Sequence, residues 1–357
     1  MIITRTPFRF TLGGGGTDLP SYYSKYGGLV FSAAIDKYMF ISVNRPIVDD
    51  LVRVKYSKSE CVESVEELQH ELAKAALEFT GIENAIEILS MADIPAGTGL
   101  GSSSCYVVGL LHALQSLKRD IPSQPQLAET ACYLEMEVLK KPVGKQDQYV
   151  AAVGGLPILE IEKSGKVNIR RVPISYDIMD ELNRNTLIFY TGMTRSADEI
   201  LKHQDSSVKK EDKTVTDSLH RIKEIGYETI EAIESGNLDS FGLLMDEHWK
   251  NKKRLSSKIA DPRIHKIYEL AKASGALGGK ITGAGGGGFF VFYTNNRHKQ
   301  LRRAMHQEGL RELRYRFDTE GSKVLVNLSD SRGRYDNSLP NWAKPSSYTN
   351  LGIQGTC

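Results

Sequence analysis

Of the chain's 32 glycines, 14 fall into three short stretches: four at 13 to 16, three at 97, 99 and 101, and seven between 278 and 288. Glycine has no Cβ to hold a ligand away from the backbone and reaches positive φ, so such clusters suit loops whose N–H groups close on phosphate. The middle stretch is the most informative. Pro95-Ala96-Gly97-Thr98-Gly99-Leu100-Gly101-Ser102-Ser103-Ser104 follows a predicted strand and opens a predicted helix. It gathers free amides, the positive end of a helix dipole and three hydroxyls at one point, which is the chemistry of an anion site. It is not a Walker A loop, because no Gly-Lys-Ser/Thr closes it, and it is not a clean dinucleotide GxGxxG.

These loops need elements to carry them. Strand patterns rich in Val, Ile, Phe and Tyr cover residues 2 to 12, 29 to 43 (read as strand pairs) and 51 to 56, and Ile86 and Ile88 mark another. Val65, Leu68, Leu72, Ala75, Ala76 and Phe79 recur at three and four, which predicts a helix over 64 to 79. Further helices are expected at 102 to 117 and at 126 to 139, the latter stopped by Pro142 and followed by a polar loop, Gly144-Lys145-Gln146-Asp147-Gln148. Strands follow near 156 to 161 and 167 to 174. The texture changes near 175 to 185, giving a first domain over 1 to 180 and a second over 181 to 328. In the second, strands at 186 to 190, 289 to 293, 313 to 317 and 323 to 328 alternate with helices at 196 to 201, 214 to 234, 238 to 256, 262 to 274 and 297 to 308, an α+β arrangement. Residues 329 to 357 show neither period and are expected to form a tail, disordered or docked through its aromatics.

Composition narrows the classes. A chain of 357 residues suggests two domains, and 46 basic against 44 acidic residues leave a formal charge of +2. A dedicated nucleic-acid binder would carry a strongly basic stripe, so no nucleic-acid partner is expected. Cys61, Cys105, Cys132 and Cys357 show no CxxC spacing, which fits a reducing compartment and neither a disulfide frame nor a zinc cage. No signal-peptide pattern opens the chain and no apolar run approaches the roughly 18 to 20 residues of a membrane span, so a cytoplasmic protein without a membrane partner is expected.

The middle loop resembles the phosphate loop of the GHMP small-molecule kinases. Two further motifs of that family match in order: Arg5-Thr6-Pro7-Phe8-Arg9 running to Gly14, Thr17 and Asp18, and Lys280-Ile281-Thr282-Gly283-Ala284-Gly285-Gly286-Gly287-Gly288. The resemblance spans roughly residues 1 to 328. It implies an α+β fold of two domains, an N-terminal α/β half and a ferredoxin-like C-terminal half, with the active site between them and ATP and Mg²⁺ as cofactors. By the same resemblance, Pro95, Gly97, Gly99, Leu100, Gly101, Ser102, Ser103 and Ser104 wrap the nucleotide phosphates, and Gly283, Gly285 and Gly286 close on them from the other domain. Ser103 and Glu135 are the implied metal ligands, with Glu137 as the rival carboxylate. Asp147 takes the place of the catalytic aspartate and Arg9 that of the basic residue beside it.

For the acceptor, the Gly14, Gly15, Thr17, Asp18 segment is similar to the sugar-gripping Thr-Asp pair of galactokinase-like members. Galactokinases carry Gly-Glu-His before that pair, and here Gly14-Gly15-Gly16 leaves a larger and less acidic pocket. With Gly144-x-Gln146-Asp147-Gln148 and Thr191-Gly192-x-Thr194-Arg195, the pattern resembles the kinases of D-glycero-D-manno-heptose 7-phosphate. These act on the anomeric hydroxyl in making nucleotide-activated heptose. Fucokinase- and galactokinase-like enzymes share much of it and are the alternative. Arg195 and Lys280, with Lys145 as a weaker third, are the cations that could hold a substrate phosphate. A non-catalytic sugar and ATP sensor would be expected to have lost the aspartate, the metal carboxylate or a phosphate loop, and all three are present.

Overall fold

The computed structural model describes residues 1–193, 197–256, 259 and 261–328. β1 (Ile2–Gly14) buries Thr4, Thr6, Phe8, Phe10 and Leu12 and pairs antiparallel, across the short α1 (Pro20–Tyr26), with β2 (Gly28–Asn44). The sequence predicted strand pairs where β2 runs unbroken for 17 residues. Its interior holds neither Gly nor Pro, so the strand runs on through the irregularities at Pro7/Phe8 and Thr11/Gly13, where its register against β1 shifts. β3 (Val52–Lys55) and β4 (Ser59–Val62) form a hairpin, and α2 (Glu71–Thr80) leads to β5 (Ile86–Ala92), which joins β2 and β3. The helix predicted from residue 64 starts as a 3₁₀ turn over Val65–Glu67. The α-helix begins only at Glu71, where His70 Nδ1 accepts the Ala73 N–H.

α3 (Ser102–Leu117) lies buried on β1 and β2. Thr4 donates to the Gly109 carbonyl at 2.9 Å, and a Cβ at Gly109 would stand 2.8 Å from Thr6 Oγ1, so only a glycine lets helix and strand approach this closely. That contact fixes the helix start beside the far end of β1. α4 (Gln124–Cys132) runs into a π-helical turn over Tyr133–Val138, where a plain helix was expected. α5 (Gln146–Val153) takes up most of the predicted polar loop, so Asp147 stands in the first turn of a helix. β6 (Pro157–Ile161) and β7 (Val167–Arg171) extend the sheet beyond β2.

The second half contains α6 (Tyr176–Asn185), β8 (Thr186–Tyr190), α7 (Ala197–Lys209), α8 (Lys213–Glu234), α9 (Leu238–Lys252), α10 (Pro262–Ala273), β9 (Gly278–Ile281), β10 (Phe289–Tyr293), α11 (His298–Gln307) and β11 (Arg311–Leu313). Its antiparallel sheet has the order β11-β8-β10-β9, the split βαββαβ arrangement of ferredoxin-like domains. β12 (Lys323–Asn327), assigned by sequence to the second domain, returns instead to the first sheet and pairs with Ile2 through Arg5. The halves share a wall. α8 crosses β1 where a Cβ at Gly13 would lie 3.1 Å from Gly226 Cα, and Ile230, Ile233, Phe241 and Val291 pack in one core with Phe8 and Phe10. Among the described residues no helix is long and apolar enough to cross a membrane.

Candidate active site

The three glycine clusters converge on one cleft of about 770 Å³, lined by Gly14 to Gly16, by Gly97, Gly99 and Gly101, and by Gly283 to Gly287. The second and third touch: a Cβ on Gly283 would stand 2.7 Å from Gly99 Cα, and one on Gly288 2.0 Å from the Thr98 carbonyl. Side chains at these positions would pry the loops apart. Gly101 holds φ at +86° as the N-cap of α3 and offers no side chain to the first-turn amides, which stay available to an anion. Pro95, Ser102, Ser103 and Ser104 line the same space. Leu100 does not. Its side chain is fully buried in the core, and its carbonyl accepts the Arg9 N–H at 3.2 Å, so it anchors the loop from behind and does not reach the cleft.

The π-helical turn decides which glutamate enters the cleft. Glu135 is fully buried; its Oε1 accepts from Ser103 at 2.6 Å, and its Oε2 accepts from Ser104 at 2.7 Å and from Gln148 Nε2 at 2.6 Å. Burial pushes its carboxyl pKa up, against the lowering effect of those three donors. The rival Glu137 is exposed and pairs with Lys140. Among the described residues no group of three or more His, Cys, Asp or Glu side chains gathers for a metal. A cation at Ser103 and Glu135 would therefore complete its shell with phosphate and water oxygens, as Mg²⁺ does.

Asp147 is half-buried and held from one side: Arg9 Nε donates to its Oδ1 at 2.7 Å, and Arg9 Nη1 donates to the Gly99 carbonyl at 2.9 Å. Asp18 lies next to it, buried, accepting the Gln146 N–H at 3.1 Å. Burial raises the Asp18 pKa, the Gln146 N–H opposes this, and the Asp147 charge adds to the rise. A Cβ at Gly144 would overlap the Asp18 carboxylate at 2.0 Å, so that glycine makes room for it.

Thr17 is a correction. It is fully buried, donates to the Leu29 carbonyl at 2.7 Å and accepts the Leu29 N–H at 3.1 Å, and it does not line the cleft. Its hydroxyl staples the glycine turn to β2 and is not presented to a ligand. Lys145 is another, since its three N–H groups meet both carboxylate oxygens of Glu129 and the Gly165 carbonyl. Lys280 does line the cleft, buried, with Nζ donating to the Leu12 carbonyl at 2.9 Å. Arg195 lies outside the described residues.

Sequence reasoning overlooked Gln204, His248 and Lys252 as lining residues, and it quoted Gln146 within a motif without giving it a role. Gln146 Nε2 donates to Thr11 Oγ1, Gln204 Nε2 donates to the Gly16 carbonyl at 3.0 Å, His248 Nε2 meets the Gly14 carbonyl at 2.7 Å, and Lys252 holds two carbonyls of the third glycine loop. For the last two a signal existed. Phe241, Met245, His248 and Lys252 share one stripe of α9, and polar residues that continue an apolar stripe face inward with it, His248 buried and Lys252 half-buried.

The comparisons with known proteins bear on the family and the fold. The family model of the GHMP kinases N terminal domain matches residues 61–155, and that of the GHMP kinases C terminal domain matches 229–311. The chain belongs to the GHMP kinase family and is a kinase. It is 29% identical over 334 residues to a D-glycero-alpha-D-manno-heptose 7-phosphate kinase of Campylobacter jejuni, covering 90% of this chain and 98% of that one. A Bacteroides fragilis L-fucokinase/L-fucose-1-P guanylyltransferase is 28% identical across 91% of this chain but only 37% of its own length. Among solved structures, a putative sugar kinase from Campylobacter jejuni superposes with a TM-score of 0.72 at 28% identity, covering 90% of this chain and 97% of that one. A D-glycero-D-manno-heptose 1-phosphate kinase from Bacteroides thetaiotaomicron shares the fold, with a TM-score of 0.75 at 23% identity over 92% of this chain and 99% of that one.

Proposed function

We propose that this kinase transfers the γ-phosphoryl group of ATP to the anomeric hydroxyl of a sugar phosphate, D-glycero-D-manno-heptose 7-phosphate giving the 1,7-bisphosphate. The observation that carries the reading is the position of Asp147, tied by Arg9 to the carbonyl of Gly99 on one side and neighbouring Asp18 and the Gly14–Gly16 turn on the other. One carboxylate thus stands between a phosphate cradle and a polar floor. The similarity to the heptose 7-phosphate kinase over nearly the whole of both chains supports the choice of sugar.

In this reading the nucleotide phosphates lie on the amides of the middle and third glycine loops, and the base reaches the end of the cleft lined by Tyr56, Leu72, Met91 and Tyr106. Ser103 and Glu135 would hold Mg²⁺, which when bound neutralises charge on the phosphate oxygens. Asp147 accepts the hydrogen of the anomeric hydroxyl and aims its oxygen at the γ-phosphorus. The Arg9 guanidinium beside it keeps positive charge where negative charge gathers in the transition state. Asp18 and the backbone of Gly14 to Gly16 meet the sugar hydroxyls, and Lys280 offers two further N–H groups when protonated. Asp147 works chiefly by orientation, since phosphoryl transfer through a loose transition state depends on positioning.

A fucokinase- or galactokinase-like sugar 1-kinase is the second reading, favoured by the similarity to the fucokinase portion of the bifunctional protein. A coupled ADP-release assay over heptose 7-phosphate, fucose, galactose, mannose and N-acetylhexosamines separates the two. Turnover limited to free sugars would replace the first reading with the second, and absence of turnover with any sugar would sink both.

A further inference from the structure

Two lysines stand in the cleft wall without a carboxylate. Lys280 on β9 donates one N–H to the Leu12 carbonyl. Lys252, the last residue of α9, donates to the carbonyls of Ile281 at 3.0 Å and Gly283 at 2.5 Å, and its Cε lies 3.1 Å from where a Cβ on Gly285 would sit. Among the described residues neither lysine forms an ion pair, whereas the neighbouring Arg9 has Asp147. An ammonium withdrawn from water normally has a counter-charge, and neither Lys280, which is buried, nor Lys252, which is half-buried, has a carboxylate beside it. An ammonium also has three N–H groups, and the two carbonyls occupy two of those on Lys252.

We propose that Lys252 is a nucleotide-binding and positioning residue: it moors the third glycine loop through the Ile281 and Gly283 carbonyls and turns its third N–H to the terminal phosphates, gaining a proton from solvent as the nucleotide enters. The inference rests on the reading that places nucleotide phosphates between the two glycine loops. Burial first and then the Arg9 charge hold the Lys252 pKa down at about 7. The other titratable neighbours are Lys280 on β9 and His248 one turn earlier on α9, both also held low by burial first and by lysine charge after it. As a neutral amine, Lys252 keeps its two N–H groups on the two carbonyls and faces the remaining direction with a lone pair. A phosphate oxygen there needs a donor in its place, so nucleotide binding and protonation are linked. The balance is simple: one proton leaves the buffer, forms an N–H bond on Nζ, and no other bond changes.

The test is titration calorimetry of the full chain with MgATP and no sugar at pH 8, in HEPES and in Tris, whose different ionisation enthalpies report the protons taken up. The wild type should take up a measurable fraction of a proton per nucleotide, because burial and Arg9 hold the Lys252 pKa below pH 8. Lys252→Arg, charged at every pH used, should keep nucleotide affinity within a few-fold at pH 7 and take up almost none. Lys252→Met should take up none and bind about 10- to 150-fold more weakly, the range of a charge-assisted hydrogen bond. Lys280→Met should retain the uptake. Proton uptake that persists in Lys252→Arg, or that disappears only in Lys280→Met, overturns the proposal. Melting curves report folding, and if Lys252→Met is unfolded the arginine variant decides alone. A wild type that binds MgATP without taking up a proton contradicts this inference only, while one that binds no MgATP contradicts the proposed function itself.

Discussion

Arg9 joins Asp147 to the phosphate loop: its Nε and Nη2 reach Asp147 Oδ1 at 2.7 and 2.5 Å, and its Nη1 donates to the Gly99 carbonyl at 2.9 Å. One buried side chain thereby sets the spacing between the carboxylate proposed to meet the acceptor and the loop proposed to meet the donor. Asp147→Asn should keep the shape and lose the acceptor charge. We expect kcat to fall by about 10²- to 10⁴-fold with MgATP affinity nearly unchanged, read by steady-state kinetics and calorimetry. Loss of nucleotide binding with preserved turnover would refute the assignment.

Gly101 couples the same two groups. At φ +86° any side chain is strained, and a Cβ there would lie 3.3 Å from Asp147 Oδ2. Gly101→Val should therefore raise KM for ATP and lower kcat together. Gly283→Val, whose Cβ would stand 2.7 Å from Gly99 Cα, should raise KM for ATP by separating the loops. Ser103→Ala should raise KM for ATP as well, by removing a hydroxyl from the metal side. Unchanged ATP kinetics in all three would place the nucleotide elsewhere.

Glu135→Gln should weaken Mg²⁺-dependent turnover, and added Mg²⁺ should recover part of it. It should also stabilise the ligand-free protein. Burial raises the folded pKa of Glu135 above its unfolded value. Between those two values the folded state binds more protons than the unfolded one, so the contribution of Glu135 to stability is full at low pH and is lost as pH rises through the folded pKa. The glutamine variant has no such loss. Its Tm should exceed that of the wild type at pH 8, with the gap closing toward pH 4.5. A gap independent of pH would mean that the carboxyl titrates normally in the fold.

The cleft was legible where backbone lines it, because loops that pack this closely leave glycine at fixed places in the sequence. The side chains that close the cleft from α9 left only their place on an apolar stripe as a signal. His248 and Lys252 occupy stripe positions whose meaning appears only when β9 and the Gly14 turn are laid against them. The π-helical turn that buries Glu135 and exposes Glu137 changes only six residues, too few to disturb a helical period. β12 reads as an ordinary strand, and its partner, β1, lies some 320 residues earlier, beyond any local pattern. Thr17 shows the opposite error: its residue type fits a sugar ligand, but its neighbours Leu29 N and O use the hydroxyl first.

The central claim is that the cleft takes a sugar already bearing a phosphate. The direct measurement is the ratio of kcat/KM for heptose 7-phosphate to that for dephosphorylated heptose, in the wild type and in Lys280→Ala and Arg195→Ala. A charge-assisted contact of about 1.5 to 3 kcal/mol predicts a ratio of about 10 to 150 in the wild type, and its collapse in the variant that removes the holding cation. A ratio near one, with free fucose or galactose preferred over every sugar phosphate, would contradict the account.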